Sequence, residues 1–452
     1  MLVRDFIEDS LYNPHYGYFP KQATIFSNSD TMVDFSQIRN GNQFQELVAE
    51  RYAGYGMDKA GPGRQIFHTP TELFRPYYGQ AIAQCLVSEY LLKYFPYEDF
   101  NVYEIGAGNG TLATDILSFI QERYPEVYDR THYTIIEISQ SLVKQQLKRL
   151  QEHSCAKVVH KSVFRWDVRE PAPCFMVAME VVDNFAHDIV RYNMKTLEPF
   201  QTYVCIDNSG DFSLDYTKIT DPLISSFLSL RHNLSHPLPL PTILQRFPRL
   251  RQLYGNMPFV SNLSPPEYVP TRLLSLLYTL RSQFPLHRLL LTDFSSLPDA
   301  VPGYNAPVVQ TRFQNTMVAC SSILVKQGFF DIFFPTDFER LRDMYENVLS
   351  QPPSFVGNAS HTLPLPPPRP TPLWHSVSPL ALGSEFFSST PGNRRSPLDG
   401  TLSSSGLPVG QRRSGVFSHE EFMQTYADLD RTRLGNGENP LLDYYKNVKF
   451  LF

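Results

Sequence analysis

Glu104-Ile105-Gly106-Ala107-Gly108-Asn109-Gly110-Thr111 is the stretch whose reading decides the fold of this chain. Asn101 to Ile105, in front of it, reads as a short strand, and Leu112 to Tyr124, behind it, as a helix. A glycine-rich turn between a strand and a helix is where an open α/β sheet binds its ligand. Dinucleotide folds place their glycines as G-x-G-x-x-G. Here the third glycine comes one residue early, Thr111 stands where the last one would be, and an acid, Glu104, precedes the turn.

Strands and helices alternate outward from that turn. Tyr133–Ile138 is a second strand, followed by a helix from Ser141 to His153, and Lys157–Val159 a third strand. Phe175–Met179 is a fourth, apolar throughout as a buried parallel strand is, and Leu289–Asp293 a fifth. The last two strands are expected at Met317–Val325 and Phe329–Phe334. This alternation predicts an α/β, Rossmann-like fold with a mostly parallel, doubly wound sheet. Residues 1–95 form a helical or lid region, with Ile82, Leu86, Tyr90 and Tyr94 four apart on one helix. The main domain spans 96–345, with an insertion at about 200–285 that contains a hairpin turning at Asn208-Ser209-Gly210. Residues 346–415 are a Pro/Ser-rich stretch, too poor in apolar surface to offset its ordering entropy, and read as a disordered linker. Residues 416–452 are a helical tail, in which Ser418 and Glu421 fit a capping box.

Composition narrows the function. A hydrophobic share of 42% supports a sizeable core, and a net charge of -5 gives no global attraction to nucleic acid. No stretch approaches the roughly 18 uninterrupted apolar residues of a membrane span. Cys85, Cys155, Cys174, Cys205 and Cys320 are scattered without a Cys-x-x-Cys pair, so neither a disulfide framework nor a zinc site follows. His15, His68 and His187 lack metal-ligand spacing, and no metal is assigned. The start, Met1–Asp9, holds three acids and one base, the pattern of neither a transit peptide nor a secretory signal.

The glycine pattern resembles the first motif of class I methyltransferases, which implies S-adenosyl-L-methionine as cofactor. Glycines let the backbone approach an amino-acid and nucleoside moiety, and Glu104 places negative charge near a cationic ligand. Glu137, at the end of the second strand, is placed to accept hydrogen bonds from two ribose hydroxyls. The cofactor-binding candidates are therefore Glu104, Gly106, Gly108, Gly110, Thr111 and Glu137. Asp167 joins them as a partner for the adenine amino group, with a solvated loop acid as the alternative, and Trp166 either stacks on adenine or fills the core.

More features run in order along the chain: Leu11-Tyr12-Asn13-Pro14 with Gly17-Tyr18-Phe19, Phe67–Glu72, Tyr78-Gly79, Glu137-Ile138-Ser139, Glu180 with Asp183, and Asp331-Ile332 before Asp337-Phe338. Together they resemble the MidA-like family, which includes the mitochondrial methyltransferase that assists assembly of respiratory complex I. The resemblance covers about residues 1–345 and implies arginine methylation of a complex I subunit, in the mitochondrial matrix. A shortened gene model explains the missing presequence, with a cytosolic relative as the alternative. The chain departs from the family in three places: Met179-Glu180 stands for Asn-Glu, Asp293-Phe294-Ser295 for Asp-Tyr-Gly, and the histidine of the late motif is absent near Pro335.

An arginine acceptor stays protonated, so methylating it calls for carboxylates that orient one nitrogen and receive its proton. Glu180 and Asp183, after the fourth strand, are the catalytic candidates. Glu180 orients the substrate and Asp183 takes the proton; in the structural alternative, Asp183 caps a short helix and Glu180 holds a loop. The other functional readings are a catalytically weak S-adenosylmethionine-binding scaffold and a methyltransferase for a small molecule. Thr69–Arg75 is either a lid over the cofactor or a helix start capped by Thr69 or Thr71.

Overall fold

The computed structural model describes residues 1–21, 23–25, 32–56, 65–67, 69–257, 261–298, 301–313, 316–350 and 413–452. Seven strands build its central sheet: β1 (Phe100–Ile105), β2 (Thr131–Glu137), β3 (Ala156–His160), β4 (Cys174–Met179), β5 (His287–Phe294), β6 (Val416–Ser418) and β7 (Val448–Leu451). Their spatial order is 3-2-1-4-5-7-6. The first five are parallel, and β7 alone is reversed, antiparallel to both β5 and β6. The order reverses between β1 and β4, and open sheets bind ligands outside the strand ends at such a point.

Successive residues of a strand face opposite sides, so each strand feeds two cores. Phe100 and Val102 of β1 join one core, while Tyr103 and Ile105 join the other. Helix α1 (Val3–Tyr12) lies outside both, burying Val3, Phe6, Ile7 and Leu11 in a third cluster. The one-turn α2 (Pro70–Leu73) begins at Thr69, whose hydroxyl accepts from the Glu72 amide at 3.2 Å. The first core is completed by α3 (Tyr77–Lys93) and α4 (Thr111–Arg123), with Ile82, Leu86, Ile116 and Ile120 fully buried. Helix α5 (Gln140–Arg149) follows β2. The second core is covered by α6 (Thr271–Gln283) and α7 (Phe338–Ser350).

Two expectations are corrected. Met317–Val325 and Phe329–Phe334 do not extend the central sheet. Thr316–Cys320 and Asp331–Phe333 instead pair with Val308–Phe313 in a separate three-stranded sheet. Strands Val308–Phe313 and Thr316–Cys320 are close neighbours in sequence, which favours their antiparallel pairing. The last two places in the central sheet go to β6 and β7, from the tail expected to be helical. That tail does hold α8 (His419–Tyr426), and both bonds of the Ser418–Glu421 capping box are present. Its strands were hidden by the Pro/Ser-rich stretch, most of which (351–412) lies outside the described residues.

The insertion also starts earlier than 200. Asp188–Tyr192, Pro199–Ile206, Phe212–Lys218 and Glu267–Val269 form a four-stranded antiparallel sheet, with the hairpin at the expected turn. Arg4 of α1 fastens to it, donating to Asp188 at 2.7 Å and to Asp221 at 2.8 and 2.5 Å. This ties the N-terminal helix to the insertion. Among the described residues no helix is long and apolar enough to cross a membrane.

Candidate active site

The turn after β1 uses its glycines for their backbone. Gly106, Gly108 and Gly110 have φ of 67°, 52° and 76°, in the left-handed region that side chains disfavour. A Cβ on Gly106 would also sit 3.1 Å from Cγ2 of Val181, so this turn and the segment after β4 are in direct apposition.

Glu137 closes the other side of the turn. Its Oε1 accepts from the amides of Ile138 and Ser139, each at 2.8 Å, and its Oε2 accepts from Gln146 Nε2 at 3.0 Å. The same Gln146 amide donates to the carbonyl of Gly108 at 2.8 Å. Burial raises the Glu137 pKa, and these donors oppose that rise. Gln146 Oε1 is buried without a hydrogen-bond partner among the described residues. A fixed carboxylate with spare lone pairs, an orphaned acceptor and a glycine cradle are a donor and acceptor set that a nucleoside's hydroxyls and amino group can satisfy.

Other candidates are placed less directly. Glu104 is buried, accepts from Tyr133 OH at 2.8 Å, and has its pKa pushed up to about 7 by burial. Thr111 is committed to Glu72, donating to Oε1 at 2.6 Å, and Asn109 donates to the same oxygen at 3.1 Å. Glu72 therefore clamps the segment expected as a lid onto the glycine turn. Asp167 is exposed and paired with Lys161 at 2.6 Å. Trp166 packs edge-on to Tyr103 and beside Phe284, within the second core. His68 lies outside the described residues.

After β4 the chain turns at Glu180, whose φ of 53° is unusual for a residue with a side chain. Strain of that kind concentrates where a side chain must be aimed. Asp183 follows on a short turn, Val182–Asn184, which is capped from β5: Asp293 Oδ2 accepts from the amides of Val182 at 2.9 Å and Asp183 at 3.0 Å. The Asp183 carboxylate accepts, among the described residues, only from the neighbouring Asn184 amide, at 2.9 Å. Asn184 in turn donates to Asp331 at 3.1 Å, and the Phe334 amide donates to the Asp183 carbonyl at 2.8 Å. Tyr12 OH reaches the Asn184 carbonyl at 3.2 Å.

Asp183, Asp293 and Asp331 are thus buried together, with Glu180 at their edge. Burial and mutual repulsion raise the Asp183 and Glu180 carboxyls well above the usual range, and burial takes Asp293 and Asp331 to about 7. Among the described residues no lysine or arginine pairs with any of the four. Nor are three or more His, Cys, Asp or Glu side chains arranged to hold a metal ion. Asp293 and Asp331 were not expected in the site. Each does leave a sequence signal, an acid within an apolar run.

Residues 81–353 match the model of a family described as "Putative S-adenosyl-L-methionine-dependent methyltransferase". The chain belongs to this family. Its cofactor is therefore S-adenosyl-L-methionine, as the glycine turn and Glu137 suggested. The methyltransferase is also 26% identical over 320 residues to the "Protein arginine methyltransferase NDUFAF7 homolog, mitochondrial" of Schizosaccharomyces pombe. That alignment covers 68% of this chain and 66% of the relative, just under two thirds of it. A solved structure from Burkholderia thailandensis, described as a "likely methyl transferase" bound to S-adenosyl-homocysteine, is 14% identical with a TM-score of 0.47, covering 77% of this chain and 72% of that one.

The turn and Glu137 can be tested separately. Gly108→Val forces a β-branched side chain into the left-handed region. It is expected to weaken S-adenosylmethionine binding by about tenfold to a hundredfold. Glu137→Ala removes the acceptor expected for the ribose and should cost about tenfold or more. Isothermal titration of each purified variant reads both effects, and unchanged affinity in Glu137→Ala would remove Glu137 from the cofactor site.

Proposed function

We propose that this methyltransferase transfers the methyl group to a guanidinium nitrogen of an arginine in a protein substrate. The observation that carries the reading is the group of four acids, Glu180, Asp183, Asp293 and Asp331, with no counter-cation among the described residues. Burying like charges together is unfavourable until a cation arrives, and a guanidinium is a planar cation built to bridge carboxylates.

S-adenosylmethionine supplies an electrophilic methyl carried on a sulfonium. In the proposed mechanism Glu180 pairs with the guanidinium and turns one nitrogen toward the glycine turn. Asp183 receives the proton that this nitrogen gives up as its new carbon bond forms and the carbon–sulfur bond breaks; burial and the neighbouring acids Asp293 and Asp331 raise its carboxyl well above the usual range, which favours taking up that proton. Asp293 holds the backbone under Asp183, and Asp331 holds Asn184. By likeness to the fission yeast relative, and by the family resemblance, the substrate is proposed to be a complex I subunit and the location the mitochondrion. Incubating the protein with labelled S-adenosylmethionine and purified complex I subunits, followed by mass spectrometry, tests this. Methyl groups found only on lysine or on small molecules would overturn it.

The acids also make opposite pH trends. Asp293 and Asp331 have folded pKa values near 7, above the unfolded value of 3.8, so the fold holds extra protons between those limits. Their contribution to stability is complete below about 4 and is lost as pH rises through 7. Affinity for an arginine peptide should rise over the same interval, because ionised acids are what the guanidinium binds. Thermal melts and peptide titrations between pH 5 and 8 should therefore move in opposite directions, roughly as linkage requires.

A further inference from the structure

Between Asp221 and Glu267 the chain contains no Asp or Glu, although the whole protein carries a net charge of -5. Two short helices in the insertion, Thr242–Arg246 and Pro248–Gly255, lie in this acid-free stretch. Ile243, Phe247, Leu250, Leu253, Tyr254 and Met257 along them are between 38% and 60% exposed. Leu250 and Tyr254, four apart, share one face of the second helix with Leu253 beside them, while Ile243 lies on the first helix and Phe247 in the extended link between the two.

The opposite side of the pair is docked. Leu244 is buried in the second core, and Arg251 donates to the carbonyls of Lys195 at 3.1 Å and Leu244 at 3.2 Å. Gln245 donates to the carbonyls of Leu240 at 2.6 Å and Leu238 at 3.0 Å. The apolar side chains are therefore held outward by a fixed backbone. Arg246 and Arg249 are exposed beside them, and neither makes an ion pair among the described residues. Monomeric soluble proteins seldom display such a cluster without using it.

We propose that this face rests on the surface of an anionic lipid bilayer. Exposed large apolar side chains and arginines on short helices, in a stretch of chain without an acid, are the composition of segments that lie in the headgroup region. The charge also argues against a second copy of the chain, since self-association across the face would set arginine against arginine. No acid on the face could bind an arginine-bearing protein substrate. Phospholipid headgroups satisfy both halves of the surface: phosphates take the arginines, and the acyl boundary takes Phe247, Leu250 and Leu253.

Flotation of the full chain with phosphatidylcholine vesicles, with and without phosphatidylserine, tests the proposal. The chain should float with the anionic vesicles, and salt should weaken that binding. Phe247→Ser with Leu253→Ser should abolish it. Arg246→Gln with Arg249→Gln should reduce it by about twenty-five-fold, at roughly fivefold for each charge lost. Leu92→Ser, at an exposed position of α3, should leave it unchanged. Unchanged S-adenosylmethionine binding shows that each variant is folded. Failure of the intact chain to float, or equal flotation of the Phe247/Leu253 variant, overturns the proposal. So does a dimer that this variant dissolves in the absence of vesicle binding, since the face would then be a protein interface.

Discussion

Asp183→Asn is expected to lower single-turnover methyl transfer to an arginine peptide by about a thousandfold, within the range of a lost general base. S-adenosylmethionine affinity should change by less than about threefold, because Asp183 makes none of the contacts that shape the glycine turn or Glu137. In the proposed mechanism the substitution takes away the acceptor of the guanidinium proton and one unit of negative charge. The amide is nearly isosteric and can keep the position of the turn, which Asp293 holds through the backbone. Folding is therefore not the reason for the loss. Removing a carboxyl that is repelled by Asp293, Asp331 and Glu180 should even raise the melting temperature above neutral pH. A slower enzyme that is equally or more stable is the signature of a group kept for function at a cost to the fold. Glu180→Gln should lose about a hundredfold, chiefly through weaker binding of the peptide. Wild-type turnover in Asp183→Asn would leave the acid cluster with a structural role only.

What could be read from the sequence was local. The glycine turn and Glu137 are each defined by a few adjacent residues on predictable elements, so their places in the fold are visible without coordinates. Glu180 and Asp183 are likewise neighbours on one turn. Asp331 is different, because it comes from a strand of the separate sheet and reaches the site only through Asn184 and the return of the chain past Phe334. Gln146 gives no signal at all. It lies on a polar helix, and only its contact with Gly108 and Glu137 marks it. The exchange of the two final strands has the same cause: pairing across long separation is decided by the packed whole, not by the pattern of the strand. Val448-Lys449-Phe450-Leu451 is a run of only four residues at the end of a tail whose clearest signal is the helix after Ser418. Thr316–Cys320 has comparable strand character and pairs with its own hairpin partner.

Deleting residues 413–452 is expected to abolish folding and cofactor binding, whereas removing 351–412 and joining the ends should leave both nearly unchanged. The tail is a structural part of the methyltransferase domain, although the family match ends at residue 353. β7 pairs with β5 from Leu291 to Phe294, and β6 closes that edge of the sheet. Phe422, Met423, Leu441, Phe450 and Leu451 are buried, with Phe422 stacked on Phe450 at 3.9 Å. Each such side chain contributes about 2 kcal/mol by burial, so a few of them approach the ~5–15 kcal/mol that holds an ordinary domain together. Asn447 also accepts from the Ser295 amide at 2.7 Å and hydroxyl at 2.8 Å, steadying the chain just after Asp293. Loss of the tail would thus loosen the residue that positions Asp183. The excised stretch is bounded by neighbours: the Ser414 amide donates to Glu346 of α7 at 2.8 Å, one turn before α7 ends at Ser350. A short Gly/Ser linker can span that gap at little entropic cost. Thermal melts and S-adenosylmethionine titration on the two deletions separate the cases. A soluble, cofactor-binding protein lacking 413–452 would show that the sheet is complete without β6 and β7, and loss of binding on excision of 351–412 would give that segment a role in the site.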